Sequence, residues 1–123
     1  MHIFVFGSNL AGIHGAGAAR HAVIHHGARY RQGEGLQGRS YAIPTKDYNI
    51  NTLPLDEIRK YVEVFVAFAY EHPDLTFQVT RIGCGLAGYQ SSDIAPMFNG
   101  APSNCLFDTD WEPFLPNKQF WRT

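Results

Sequence analysis

"HIFVFGSNLAGIHGAGAARHAVIHHG", residues 2–27, decides the class of fold. His2 to Phe6 form a short, nearly continuous apolar run rich in strand formers, the pattern of a strand buried on both faces. The run stops at Gly7 and a glycine-rich stretch follows. Ala18 to His26 then reads as a helix, with Gly27 suited to its C-terminal cap. A strand thus hands over to a helix through a loop almost bare of side chains.

The same alternation continues outward. "SYAIPT" (residues 40–45) reads as a second strand ending at Pro44. From Pro54 to Glu71, apolar residues recur at steps of three and four through Leu55, Ile58, Val62, Phe65 and Ala69. Pro54 suits the first turn of that helix, Asp56 and Glu57 favour its dipole, and His72-Pro73 ends it. "LTFQVTRI" (residues 75–82) is a third strand, Ser91 or Ser92 caps a short helix through Phe98, and "NCLF" (residues 104–107) is a last strand. Alternating strands and helices predict an α/β fold with a mostly parallel sheet and helices on both faces. The tail from Asp108 holds Trp111, Phe114, Phe120 and Trp121 without periodicity. It reads as a strap packed over the domain or, in the alternative, as an aromatic contact for a partner.

The chain has 123 residues, one domain by size, and long enough to bury a core without metal or disulfide staples. Apolar residues make up 45% and the formal charge is −1 with no like-charge block, a balance that speaks against a duplex nucleic-acid footprint. Cys84 and Cys105 follow no zinc or disulfide spacing, so a reduced, cytoplasmic setting is expected. The apolar N-terminus is too short for a membrane span and lacks the basic lead of a signal peptide.

A second glycine-rich loop, "RIGCGLAGY" (residues 81–89), follows the third strand. In a parallel sheet both loops emerge at the carboxyl edge, where open α/β folds bind ligands. Amides at a helix start point outward, the helix dipole favours negative charge, and glycine removes the Cβ that would hold an anion away. "HGAG" (residues 14–17) and "GCGLAG" (residues 83–88) are expected to grip two phosphates, or a phosphate and a sugar. The plainer alternative is that the glycines only make tight turns and close packing contacts. "GSNLAG" lacks the dinucleotide spacing G-x-G-x-x-G, and no P-loop Gly-Lys-Ser/Thr follows it.

Gly-Ala-Gly-Ala-Ala (residues 15–19) opening a helix, a strand ending in Thr45-Lys46, and a strand running into "RIGCGL" (residues 81–86) together resemble the macro domain. The likeness is closest to the branch that removes ADP-ribose from glutamyl groups and spans about residues 3–107. It implies a macro-domain-like three-layer sandwich at residues 1–107, with a mixed, mostly parallel sheet and ADP-ribose in a cleft along the strand edges. Residues 108–123 form the aromatic tail packed on that domain. The resemblance sets the first loop beside the distal ribose and diphosphate and wraps the second around the diphosphate from the other side. It thereby implies ligand contacts from Gly15, Ala16, Gly17, Gly83, Cys84, Gly85 and Leu86. Asn9, His14, Thr45, Ala87, Gly88 and Tyr89 complete the candidate set. The implied partners are ADP-ribose or a related nucleotide and an ADP-ribosylated protein, with no metal and no cofactor.

In the glutamyl-hydrolysing branch a lysine after the second strand attacks the ribose, and an aspartate after the second loop's Gly-Leu completes hydrolysis. Lys46 matches the lysine, but the aspartate position is Ala87. Asp47 and Asp93 are the nearest stand-ins in sequence, and hydrolysis of a lysine adduct requires such an acid or base. The other hydrolytic branch uses an asparagine before the first loop, matched by Asn9, and an acid that falls on Ala18 or Ala19. Both expected carboxylates are absent, so binding is better supported than turnover. A non-catalytic nucleotide sensor or sequestering module, or an interaction protein using its aromatic tail, stand as alternatives.

Several residues keep two readings. Asn9 either meets ligand or bonds its own loop. His14 either donates to a phosphate or ribose or lies on the surface, and Tyr89 either stacks on ligand or packs on the following helix. Cys84 sits where a thiol pKa can fall, but no arginine follows as a phosphatase-like nucleophile would need, so it reads as a small loop residue. His21 and His25, four apart, have metal-ligand spacing without a carboxylate nearby and read as a polar helix face. Arg29, Arg31, Gln32, Gln37 and Arg39 lie in a connector expected over the cleft or exposed.

Overall fold

In the computed structural model, which describes residues 1–121, the first strand shows how the layers form. Side chains of β1 (His2–Asn9) alternate between sheet faces. Ile3 and Val5 enter one buried cluster, Phe4 and Phe6 the other. Helix α1 (Gly17–His25) presses the small Ala19 and Ala22 against Phe4 and Phe6. Helix α2 (Leu55–Glu71) covers the opposite face with Ile58, Val62, Phe65 and Ala69, each fully buried. Those four lie on one helical stripe, as the periodicity predicts.

β2 (Gly35–Gln37), β3 (Ser40–Lys46), β4 (Thr76–Val79), β5 (Cys105–Asp108) and β6 (Gln119–Trp121) complete a six-stranded sheet in the order β2-β3-β1-β4-β5-β6. Among the described residues only β2 runs antiparallel to its neighbouring strand; the other strand pairings are parallel. The chain steps from β1 to β3 on one side, then returns across β1 to β4 and continues outward to β5 and β6. Parallel crossovers are right-handed, so a reversal of direction changes the face that the connection covers. This is why α1 packs on one face, whereas α2, α3 (Ser91–Ile94) and the turns after it pack on the other. The α/β class with a mostly parallel sheet and helices on both faces is therefore the observed one.

Boundaries differ in instructive ways. Pro54 is the N-cap of α2 and not its first-turn residue, with φ −65° and ψ 156°. Gly27 lies just beyond the α1 cap at φ +74°, and Ala28 N donates to Ala22 O at 3.1 Å, a closure that left-handed backbone permits. The short helix expected to run to Phe98 is one α-turn followed by 3₁₀ turns at Ala95–Phe98. The expected third strand shortens to β4, because the backbone from Thr80 onward turns into the glycine loop.

After Asp108 the chain makes 3₁₀ turns at Thr109–Phe114 and then adds β6 beside β5. Trp111 is completely buried against Phe98 and Phe107, and its indole N–H donates to Ser91 Oγ at 3.1 Å. No helix among the described residues is long and apolar enough to cross a membrane.

Candidate ligand-binding cleft

β1, β3, β4 and β5 all end on the same edge, and the strand order reverses between β1 and β4. A cleft of about 590 Å³ opens there, within the range of small-molecule sites and at the switch point where open α/β sheets bind ligands. Both glycine loops line it. Gly15, Ala16 and Gly17 form one wall, Gly83, Cys84, Gly85, Leu86 and Ala87 the other, with Asn9, Thr45 and Lys46 between them.

The walls present backbone. Gly17, at φ +58°, opens α1, whose cap residue Ala16 supplies no side-chain hydrogen bond and whose first turn holds no acid. The first-turn amides of α1 are therefore left for an external acceptor. The second loop is braced from behind: Gly88 N donates to Gly85 O at 3.0 Å, Tyr89 N to Gly83 O at 2.9 Å, and Thr52 Oγ1 to Ala87 O at 3.1 Å. Among the described residues, the amides of Gly85, Leu86 and Ala87 donate to no protein acceptor. A Cβ built on Gly15 or Gly85 would meet nothing within 4 Å. Bare backbone thus faces open space from both sides.

A register shift at Ser8/Asn9 shapes the floor. Ser8 pairs with Pro44 and Asn9 with Lys46, so Thr45 is the extra residue of a bulge, a device common beside active sites. Thr45 Oγ1 donates to Ser8 O at 3.2 Å. Asn9 bonds its own loop as well as lining the cleft: Oδ1 accepts from Ile13 N at 2.9 Å and Nδ2 donates to Ile13 O at 2.8 Å. The second Nδ2 proton is left over for a ligand.

Other candidates stand outside the lining. His14 is fully buried behind the first loop, edge-on to Phe6, with Nε2 donating to Gln32 O at 3.1 Å. Its Nδ1 has no partner among the described residues. Tyr89 packs beneath the second loop and donates its hydroxyl to Leu53 O at 2.7 Å. Gly88 supports that loop from the same side. Asp93 closes a capping box with Gln90 at the start of α3, so that helix start is satisfied by its own side chains. Asp47 caps its own turn through Asn49 N and Asn51 N, both at 2.9 Å. The connector after α1 is not a cover: Gln37 is buried in β2, accepting from Arg29 N at 2.7 Å and donating to Gln32 O at 3.0 Å.

The sequence reading missed Arg81 and Asp108, which with Lys46 are the charged residues of the lining. Asp108 is 9% exposed at the end of β5, where one carboxylate oxygen accepts from Asp110 N at 2.9 Å. Arg81 is paired with Asp110, Nε to Oδ2 3.7 Å, so Lys46 is the cation of the lining that no carboxylate pairs with among the described residues. Burial pushes the Cys84 thiol up, and a contact from Ser91 only partly opposes this, so the sulfur is a neutral thiol at neutral pH. The rings of His21, His25 and His26 cluster at the far end of α1, 4.6–6.4 Å apart. Among the described residues no group of three His, Cys, Asp or Glu is placed to hold a metal.

Fold and site together define an α/β domain with an amide-lined cleft at the carboxyl edge of its parallel strands. No family model, curated protein or solved structure matches the chain.

Proposed function

We propose that this chain is a macro-like domain that binds ADP-ribose or a closely related nucleotide, its diphosphate held by backbone amides of the two glycine loops. The observation that carries the reading is that Gly15–Gly17 and Gly83–Leu86 face each other across one cleft with Lys46 and Arg81 beside them. The mixed sheet with one antiparallel edge strand agrees with the macro-domain resemblance. Calorimetry with ADP-ribose, AMP and NAD tests the reading: ADP-ribose binds most tightly, and silence for all three contradicts it.

Lys46 is the residue through which the cleft would act on an ADP-ribosyl ester. Its amine attacks the ribose carbon that bears the glutamyl oxygen, and the glutamate leaves as its carboxylate. Release of the resulting adduct needs water and a proton-transfer group. Asp108, the carboxylate of the lining, stands three strands from Lys46, about 14 Å at the backbone, and Asp47 and Asp93 are tied to their own turns. That separation favours a second reading, a module that binds the nucleotide without turning it over. Release of ADP-ribose from a glutamyl-modified protein, lost in Lys46→Ala, decides for the enzyme; no release from the native chain decides for the module.

A further inference from the structure

Ile50 stands in left-handed backbone, φ +66°, a conformation that a β-branched residue rarely takes. It belongs to a tight hairpin turn held by several hydrogen bonds. Asp47 N donates to Asn51 O at 2.8 Å, Ile50 N donates to Asp47 O at 3.1 Å, and Lys46 bridges Thr52 across the turn. The left-handed position of such a turn suits glycine or asparagine. Asparagine stands on both sides of it, at Asn49 and Asn51, yet the position itself is isoleucine. Its side chain is 40% exposed and lines the glycine cleft. Strain kept at such a place points to a use for the side chain.

Two further aliphatic residues line the same cleft from the glycine loops, Ile13 at 54% and Leu86 at 73% exposed. All three are tied to the Lys46 end of the cleft. Asn9, whose side chain holds Ile13, pairs with Lys46 between β1 and β3. The Lys46–Thr52 bridge holds the Ile50 turn, and Thr52 Oγ1 donates at 3.1 Å to the carbonyl of Ala87, beside Leu86. Arg81 and Asp108, after β4 and at the end of β5, belong to the opposite end. An amide-lined cleft thus carries an aliphatic rim at one end. Exposed aliphatic groups presented by three separate loops around one opening mark a contact for an apolar group.

We infer that Ile13, Ile50 and Leu86 receive an apolar side chain of the polypeptide to which the nucleotide is joined, next to the modified residue. The inference rests on the nucleotide reading of the cleft and applies to the enzyme and to the binding module alike. With the diphosphate on the loop amides, the bond from ribose to polypeptide falls at Lys46. The polypeptide then leaves the cleft across this rim, where an apolar neighbour of the modified residue is withdrawn from water.

The test measures the affinity of the native chain and Ile50→Asn for free ADP-ribose and for two peptides. Each peptide bears ADP-ribose on a glutamine side-chain amide, one with flanking leucines and the other with flanking serines. The amide is a far poorer leaving group than a carboxylate, so binding is read under either functional reading. The native chain binds the leucine peptide at least about fivefold tighter than the serine peptide, the scale of one partly buried aliphatic side chain. Ile50→Asn reduces that preference, leaves free ADP-ribose unchanged and raises the urea midpoint, because asparagine accepts left-handed backbone. Equal affinity for the two peptides overturns the rim while leaving the cleft reading intact, whereas no binding of free ADP-ribose to the native chain removes the cleft reading itself. A lower urea midpoint in Ile50→Asn assigns the isoleucine to the fold, and weaker binding of free ADP-ribose makes it a contact to the nucleotide; either result also overturns the rim.

Discussion

Gly85 is the residue where the account is most exposed to a single substitution. Its Cβ direction is open space inside the cleft, so Gly85→Val adds three carbons where a phosphate is to sit and displaces nothing in the fold. ADP-ribose binding is lost in calorimetry, while the thermal midpoint moves by no more than about 2 °C, the scale of a surface change. Lys46→Ala, in contrast, leaves ADP-ribose affinity within about tenfold, since an exposed ion pair is worth about 1 kcal/mol, and removes any release of ADP-ribose from a glutamyl-modified protein. The residues legible in the sequence are the glycines of both loops, whose type announces a backbone role, and Lys46 at the end of β3, which the resemblance singles out. Asp108 and Arg81 were not legible, because only the sheet order brings the end of β5 and the turn after β4 to the same cleft. His14 reads as a surface or ligand residue until Phe6 and Tyr30 are seen to enclose it.

Elements long enough to show a period were readable, and short ones were not. α2 carries its core stripe in the sequence, but β2 and β6 have three residues each and no pattern to betray them. β6 depends instead on the chain between Asp108 and Lys118 being anchored, and Trp111 is the anchor. Trp111→Ala removes a fully buried indole packed on Phe98 and Phe107 and is expected to cost about 3–5 kcal/mol in urea denaturation. At the end of α1 the sign of a pH effect is fixed. Burial, then the neighbouring His21, His25 and Arg39, lowers the His26 pKa below its ordinary 6.5. The unfolded chain therefore takes up the proton first as pH falls, and stability declines as pH drops below about 6.5 until the folded-state pKa is passed. His26→Gln makes the urea midpoint less dependent on pH between about 7.5 and 5 than in the native chain; an unchanged slope contradicts this.

At the scale of the whole molecule, one reversal of strand order does most of the positioning. It brings the loops after β1 and β4 together although α1, β2, β3 and α2 separate them in the chain, and it leaves the α1 face open over β4. Alternating strands and helices foretold a parallel sheet with both loops at one edge. They did not foretell which strands would be neighbours, because strand order is set by crossover direction and packing, which no local pattern encodes. The central claim is that free amides on facing loops receive a diphosphate. An amide-resolved NMR titration with ADP-ribose reads those amides individually. The account predicts the largest shifts at Gly15–Ala19 and Gly83–Ala87 together, saturating with a single affinity. Shifts confined to one loop, or a spectrum that ADP-ribose leaves unmoved, would contradict it.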